Sequence, residues 1–464
     1  MSLAPFSIIV ATDGGNGIAK NGTIPWNSRS DMKFFRDTTV GRGRNAVIMG
    51  RTSYESISPE YRPLSGRHCV VVSRNWKQED HPEIRVCPSL LDALATVGNG
   101  IKSYDEVFIA GGEQIYNEVI NNFMYLCKKI HITRFKTDYE CDQFFPWDAV
   151  RHYPTFQDIQ KTRDFIRYFF APNVKHEEYQ YLDLLRTIAD NGEIKPDRTG
   201  VGTQSIFGAK IEFNISERLP ILTTKKVFYD QILKELLFFI SGRTNTKILE
   251  EQNVDIWKDN TSRKFLDAQN LEYEEGDMGP GYGFQWRHWN ATYNGIEEDY
   301  TGKGIDQLSK LIKNIRQDPH SRRHILTAWN PEQLQEMAIP PCHLLAQFNV
   351  SGDRKYLDCQ VYQRSGDMFL GVPYNITSYC VLTYMIAHIT RLKPRKFIHT
   401  IGDAHIYSTH GDQIKRQLAR TPRPFPHLIF RGATKIHEID DFNFDSFIIE
   451  GYTACPAISA PMAV

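Results

Sequence analysis

No run of about 18 consecutive apolar residues occurs anywhere in the 464-residue chain, and the opening MSLAPFSIIVATDGG has neither a charged leading segment nor a long apolar stretch. The expectation is a soluble, intracellular protein without membrane contact, placed in the cytoplasm, with import into an organelle left open. The eight cysteines form no C-x-x-C pair and lack histidines at zinc-site spacing, so no structural metal is expected and the thiols are read as reduced. Neither sign of charge dominates: Lys plus Arg and Asp plus Glu number 55 each. That balance removes the global field that would draw a chain to nucleic acid or an anionic membrane, while leaving room for small anionic substrates. Internal repeats and low-complexity segments are missing, which excludes solenoid and fibrous architectures. No complete G-x-G-x-x-G follows a strand-like run, so a Rossmann dinucleotide site is not supported.

What is present is core-forming material: 41% hydrophobic residues, with 22 Tyr and 27 Phe. At about 100–200 residues per domain, the length calls for two or three domains. Short β-rich runs at 6–12, 45–50, 68–73, 106–112 and 129–135 are mostly continuous in apolar character and bounded by Gly, Pro, Asn or Ser, as suits strands buried on both faces. Stretches of helical spacing separate them, with Ser30 and Ser89 as candidate caps. The expected first domain, residues 1–172, is therefore α/β with a mostly parallel sheet. Near 170–176 the chain passes through a short junction without a Gly/Ser-rich spacer into an amphipathic helix. From 173 to 464 helices and strands mix, as in an α+β domain.

Four features in the first domain carry chemistry. The loop Gly17-Ile18-Ala19-Lys20-Asn21-Gly22-Thr23-Ile24-Pro25-Trp26 precedes Asp31, which stands at the start of an apolar helix. An isolated Asp there is more often a helix-start acid favoured by the dipole. Gly50-Arg51-Thr52-Ser53 and Ser73-Arg74 each follow an apolar strand, where unpaired N–H groups and an adjacent guanidinium suit phosphate. Ile109-Ala110-Gly111-Gly112 leads into a helix containing Tyr116, and consecutive glycines permit a close backbone approach.

In order and spacing, IAKNGTIPW, D-x-K-F-F, NAVIMGRTSYESI, RPLSGR, VVVSR, IAGGEQIY and ITRF resemble dihydrofolate reductase over residues 5–147. The resemblance implies that Asp31 grips the pterin and helps deliver a proton to N5, supported by Thr133. It implies that Ala11, Ile24, Phe35, Ile57 and Ile109 line the pterin slot and that Arg67 pairs with the glutamate α-carboxylate of dihydrofolate. NADPH would be held by Ala11, Ile18, Arg51, Thr52, Ser53, Ser73, Arg74, Gly111, Gly112 and Tyr116. Physical chemistry agrees: a carboxylate in an apolar slot can accept two donors from the pterin edge, and burial raises its pKa toward the range where proton delivery is feasible. Ala19, where the family commonly has glycine, and Met32, where it often has an aromatic, depart from the pattern near the slot.

The second half centres on Cys342 in Ile339-Pro340-Pro341-Cys342-His343. A lone cysteine is usually an inert small hydrophobe. Here Asp197-Arg198-Thr199-Gly200, the adjacent Arg322 and Arg323, and Gln363-Arg364-Ser365-Gly366-Asp367 supply cations beside Ser and Gly turns, which together suit a phosphate dianion and favour a thiolate. DRTGVGT, LPILTTKKV, KELLFFISG, PGYGFQWRHW, SRRHILTAWNP, PPCH, YQRSGDMFLGVPYNITSY, GDAHIY and PMAV resemble thymidylate synthase from about Glu177 to the end. The resemblance implies Cys342 as the nucleophile that adds to C6 of dUMP. It implies His343, Gln363 and Asn375 around the base, Arg198, Arg364 and Ser365 on the 5′-phosphate, and Arg322 and Arg323 reaching it across a homodimer formed by the synthase sheet. His405 and Tyr407 hold the ribose hydroxyl; Glu235, Trp257, Asn260 and Tyr282 organise water, cosubstrate and proton removal; Asp367 binds the pterin of 5,10-methylenetetrahydrofolate. An amide at Asn375 can both accept from uracil N3–H and donate to O4, so uracil is favoured over cytosine.

The expected function is bifunctional: dUMP is methylated to dTMP, and the dihydrofolate released is reduced with NADPH. A competing enzyme reading joins another pterin or flavin-precursor reductase to a dCMP hydroxymethylase, against which stand Asp31 with Thr133, and Asn375 in place of Asp. A binding or regulatory protein that has lost turnover is opposed by intact Asp31 and Cys342.

Overall fold

The computed structural model describes residues 2–99, 104–155, 157–197 and 200–462. The chain divides between His176 and Glu177 into two compact units. The sequence placed the boundary at 172/173. Residues beyond 170 stay with the first unit because the Ala171 N–H donates to the Pro154 carbonyl and His176 packs edge-on against Tyr125.

An eight-stranded sheet organises the first unit, in the order Arg85–Cys87, Arg67–Val72, Asn45–Gly50, Val107–Ile109, Phe6–Thr12, Cys127–Phe135, Phe165–Phe170, Gln160–Lys161. The first six are parallel and the last two antiparallel. Ile8, Val47, Ile48, Phe108 and Ile109 are wholly buried, as strands covered by helices on both faces must be. Three expectations need correction. The helix Arg29–Val40 is capped by Ser28, whose hydroxyl accepts from the Asp31 N–H, and Ser30 lies inside its first turn. Ser89 does accept from the Asp92 N–H at 3.1 Å. The strand Phe165–Phe170 falls where the sequence pattern was read as ending. Glycines 111 and 112 lie beyond their strand, which closes at Ile109.

The second unit is built on a six-stranded sheet in the order Glu193–Lys195, Thr203–Asn214, Lys393–Tyr407, Tyr356–Asp367, His343–Val350, Ile325–Thr327. Only Tyr356–Asp367 and Lys393–Tyr407 run parallel. The helix Gly371–Ile389 lies in the core, apolar on nearly every side. Glu178, wholly buried at the start of the helix Glu178–Asn191, accepts from the backbone N–H and hydroxyl of both Thr223 and Thr224 at 2.6–2.9 Å. Four donors satisfy a carboxylate that would otherwise be costly to bury, and they pin the TTKK segment beneath the sheet.

Candidate active sites

In the first unit, the parallel strands present their carboxyl ends along one edge, and the glycine and arginine motifs lie there. Gly50-Arg51 follows Asn45–Gly50, Ser73-Arg74 follows Arg67–Val72, and Ala110-Gly111-Gly112 follows Val107–Ile109, on three adjacent strands. A crevice beyond the carboxyl ends of a parallel sheet is where such folds take ligands. Gly111 sits at φ +99°, and its carbonyl accepts from the Gly50 N–H at 2.7 Å. A Cβ on Gly111 would lie 3.0 Å from the Tyr116 ring, and one on Gly112 would lie 3.0 Å from Ser53 Oγ. The helix Glu113–Asn122 starts at Gly112 with no side-chain cap, so its first N–H groups face this cradle. Arg51 and Arg74 are exposed beside it, and the Arg51 guanidinium pairs with Glu55 at 2.9 Å. Ser73 Oγ accepts from the N–H groups of Asn75 and Trp76 and so shapes its turn. The Tyr116 hydroxyl donates to the Ile9 carbonyl at 2.8 Å, which fixes the ring against Gly111. These features fit a dinucleotide phosphate: a cradle closed to side chains, an uncapped helix start and two exposed guanidinium groups, Arg51 paired with Glu55.

The residues expected to line the pterin slot lie on several elements of this unit. Ala11, next to last in the strand Phe6–Thr12, is in register with Thr133 on the neighbouring strand. Ile109 and Ile18 are buried, Phe35 and Ile57 half-buried, and Ile24 and Met32 are 60% and 61% exposed. Asp31, half-buried in the first turn of its helix, is hydrogen-bonded by Thr133. Burial pushes its carboxyl above the ordinary Asp value, while Thr133 and the nearby Arg167 guanidinium pull it down. Arg67 is positioned by two bonds, to the Ser65 carbonyl at 3.1 Å and Thr39 Oγ1 at 2.9 Å, and lies over the Phe35 ring. Arg167 was missed by the sequence because its strand went unread.

In the second unit, Cys342 lies half-buried immediately before the strand His343–Val350. Its N–H donates to the Tyr282 hydroxyl at 2.8 Å. Arg364, from the parallel strand pair, donates to the carbonyls of Pro340 and Pro341 at 2.8 and 2.9 Å and brings Nη2 to 3.9 Å from Cys342 Sγ. One guanidinium thus fixes the Pro-Pro turn and sets a positive charge beside the sulfur. Tyr282 stacks between Phe239 and His343. Burial drives the His343 imidazole down to about 3, so it is neutral, and Nδ1 lies 2.7 Å from the Tyr379 hydroxyl. Glu235, on the helix Tyr229–Ile240, accepts from Trp257 Nε1 at 2.8 Å, and burial pushes its carboxyl up to about 7. Asn260 is half-buried in the short turn after Trp257.

A second line of polar groups runs behind the cysteine. His399, wholly buried and neutral with its pKa driven down to about 3, lies 2.8 Å from Gln363 Oε1. Gln363 Nε2 then donates to Asn375 Oδ1 at 3.1 Å and to the Ser365 carbonyl. Because Gln363 Oε1 accepts from His399, the chain of bonds orients both amides and turns the Asn375 Nδ2 group outward. His399 was not singled out from the sequence; its signal is the alternation in KFIHTIGDAHIY, which turns His399, Ile401 and His405 inward together. Asp367 Oδ1 caps the turn to Phe369 and Leu370. His405, in register with Asp367, holds its ring against Asp403 at 3.1 Å, and Tyr407 packs edge-on to His405. Arg322 and Arg323 are exposed on the turn before Ile325–Thr327. Arg198 lies outside the described residues.

Among the described residues, no group of three or more His, Cys, Asp or Glu side chains could hold a metal ion, and no helix is long and apolar enough to cross a membrane. The two sites define a two-domain enzyme, a reductase joined to a synthase. Residues 5–171 match the dihydrofolate reductase family model and 179–464 the thymidylate synthase model. Similar proteins include bifunctional dihydrofolate reductase-thymidylate synthase 2 of Arabidopsis thaliana, 41% identical with 99% of this chain and 88% of that one covered. The bifunctional dihydrofolate reductase-thymidylate synthases of Daucus carota and Leishmania major are 41% and 40% identical, with 99% and 100% of this chain and 96% of each relative covered. The chain belongs to the bifunctional dihydrofolate reductase-thymidylate synthase family and has both activities.

Proposed function

We propose that residues 173–464 methylate dUMP with 5,10-methylenetetrahydrofolate, using Cys342 as nucleophile, and that residues 1–172 reduce the released dihydrofolate with NADPH at a site organised by Asp31. The observation that carries the first half is the Arg364 guanidinium 3.9 Å from Cys342 Sγ, held there by two prolyl carbonyls. A fixed cation beside the sulfur stabilises the thiolate that attacks C6, and with Ser365 and Arg198 it takes the 5′-phosphate. Attack at C6 makes C5 a carbon nucleophile toward the methylene carbon of the folate. Glu235, near half-ionised at neutral pH, is suited to shuttle protons through water at C5, with Trp257, Asn260 and Tyr282 ordering its surroundings. Hydride from the folate completes dTMP and leaves dihydrofolate. Asn375 Nδ2 donates to uracil O4 while Oδ1, which has a second lone pair, accepts from N3–H. His405 and Tyr407 hold the ribose hydroxyl, and Asp367 takes the pterin with its second oxygen.

In the reductase, NADPH supplies the hydride. Gly111, Gly112 and Ser53 would accommodate its pyrophosphate, Arg51, Thr52, Ser73 and Arg74 its 2′-phosphate and flanking groups, and Ala11, Ile18 and Tyr116 would help hold the rest of the cofactor. Asp31, supported by Thr133, grips the pterin edge and assists protonation at N5; Ile24, Phe35, Ile57 and Ile109 enclose the ring, and Arg67 takes the glutamate carboxylate. A homodimer through the synthase sheet accounts for exposed Phe207, at 79%, and carries Arg322 and Arg323 to the partner's phosphate. Eight free thiols suit a reducing, cytoplasmic setting. The test is a pair of variants. Cys342→Ser is expected to abolish dTMP formation and keep dihydrofolate reduction, and Asp31→Asn to do the reverse near neutral pH. Retained synthesis in the first, or a wild-type reductase pH profile in the second, overturns that assignment.

A further inference from the structure

Thr133 is drawn into two bonds at once. Its hydroxyl bonds the Asp31 carboxyl, and Arg167 Nε lies 3.3 Å from the same oxygen. A guanidinium has only donors, so Thr133 Oγ1 must accept from Arg167, and its one proton is left for Asp31. The direction of the relay, Arg167 to Thr133 to Asp31, is thereby set.

Arg167 is built into this position. It lies directly opposite Thr133 in the antiparallel pair formed by Phe165–Phe170 and Cys127–Phe135. Its Nη2 donates to the Ser30 carbonyl at 3.2 Å, in the same helical turn as Asp31. Its guanidinium packs on the rings of Phe34 and Phe165, at 4.2 and 4.6 Å from their centroids. Two bonds and two aromatic faces hold the cation still.

Other charges near Asp31 are few. On the Cys127–Phe135 strand, His131 packs against Phe34 and Phe169, and burial drives its imidazole down to about 4, so it is neutral. The Phe6–Thr12 strand offers only apolar Ile9 and Ala11 in register with His131 and Thr133. On the helix itself, Arg29 and Lys33 are exposed, and Lys33 pairs with Asp37.

We propose that Arg167 is a positioning residue of the reductase, which fixes the Thr133 hydroxyl as a donor to Asp31 and holds Asp31 ionised for the pterin. This rests on Asp31 being the pterin-binding acid. Without the cation, the carboxyl loses an opposing charge and a polarised donor while its burial stays, so it takes up a proton at higher pH. The substrate then meets a neutral acid where it met a carboxylate.

The experiment measures dihydrofolate binding to the full-length protein by tryptophan fluorescence, and kcat and KM for reduction, across pH, in wild type, Arg167→Met, Arg167→Lys and Asp31→Asn. Met keeps an unbranched apolar stem against Phe34 and Phe165; Lys restores the charge. In Arg167→Met the acidic limb of binding is expected to move to higher pH, with affinity at neutral pH down about threefold to tenfold and the KM for NADPH unchanged. Arg167→Lys is expected to return the limb toward wild type. A limb in Arg167→Met that coincides with wild type, or a loss equal at every pH and not recovered by Lys, overturns the role of Arg167. Asp31→Asn separates the two claims: if it keeps the wild-type limb, the pterin acid is another group, whereas a lost limb with an unmoved Arg167→Met profile refutes Arg167 alone. Should Arg167→Met fail to fold, Arg167→Lys and Arg167→Gln carry the same comparison, Gln keeping a donor without the charge.

Discussion

Trp257→Phe isolates one hydrogen bond at the synthase site and converts it into a pH shift. Trp257 Nε1 donates to Glu235 Oε1 at 2.8 Å, opposing the burial that otherwise pushes the carboxyl up, with the balance at about 7. Phenylalanine preserves an aromatic ring near Phe239 and Tyr282 and removes the donor. A hydrogen bond to a charged group is worth about 1.5–3 kcal/mol, and about 1.4 kcal/mol corresponds to one pH unit, so the carboxyl should rise by about one to two units. The sign is fixed: a carboxyl with a higher pKa is more protonated at a given pH, so the acidic limb of synthesis moves to higher pH. At neutral pH the ionised fraction drops from about one-half to about one-tenth or one-hundredth, and kcat for dTMP formation falls about fivefold to fiftyfold. Above the displaced midpoint the rate recovers. The assay is kcat for dTMP formation against pH, with dihydrofolate reduction in the same preparation as an internal control. A rate lowered equally at every pH, with an unmoved midpoint, would refute the role given to the Trp257–Glu235 bond.

Asn375→Asp keeps the oxygen that accepts from Gln363 and exchanges the outward amide donor for an acceptor, so preference for dUMP over dCMP should weaken; equal discrimination in binding and turnover would assign base reading elsewhere. Arg67→Leu should raise the KM for dihydrofolate about tenfold or more, the loss of a charge-assisted bond, with the KM for NADPH unchanged; an unaltered dihydrofolate KM contradicts the carboxylate contact. Gly111→Ala forces a side chain into φ +99° and against the Tyr116 ring, a strain of about 1–3 kcal/mol, and should cut NADPH-dependent reduction at least tenfold while dTMP formation persists. Wild-type NADPH kinetics in that variant would remove the glycine cradle from the cofactor site.

The motifs that end strands were readable because they combine two signals, a buried apolar run and a residue type with a special backbone or charge. Gly50-Arg51, Ser73-Arg74 and Gly111-Gly112 each follow such a run, and the fold brings all three to one sheet edge. What escaped notice lacks one of those signals. Phe165–Phe170 alternates aromatic residues with Arg167 and follows a stretch without clear periodicity, and only its pairing with Cys127–Phe135 makes it a strand. Thr203–Asn214 and Lys393–Tyr407 contain Gly208, and Pro394 and Gly402, residues that weaken the local pattern of a strand, and pairing across the sheet overrides them. Ser28 caps the helix in place of Ser30 because the first turn begins at Arg29, two residues earlier than a Ser30 cap would set it. The helix from Gly371 carries Pro373 in its first turn, where a missing N–H costs nothing. Alternation in KFIHTIGDAHIY records that His399 points inward, whereas its pairing with Gln363 is set by register between neighbouring strands, which alternation does not record.

The central claim is that one chain makes dihydrofolate at Cys342 and consumes it at Asp31. The most direct measurement mixes purified full-length protein with dUMP, 5,10-methylenetetrahydrofolate and NADPH and follows dTMP, dihydrofolate, tetrahydrofolate and NADPH separately. The account predicts that dTMP and tetrahydrofolate both form, with one NADPH oxidised per tetrahydrofolate and none oxidised when dUMP is omitted. Formation of dTMP with dihydrofolate accumulating and NADPH untouched would contradict it, as would NADPH oxidation on added dihydrofolate in a protein that makes no dTMP.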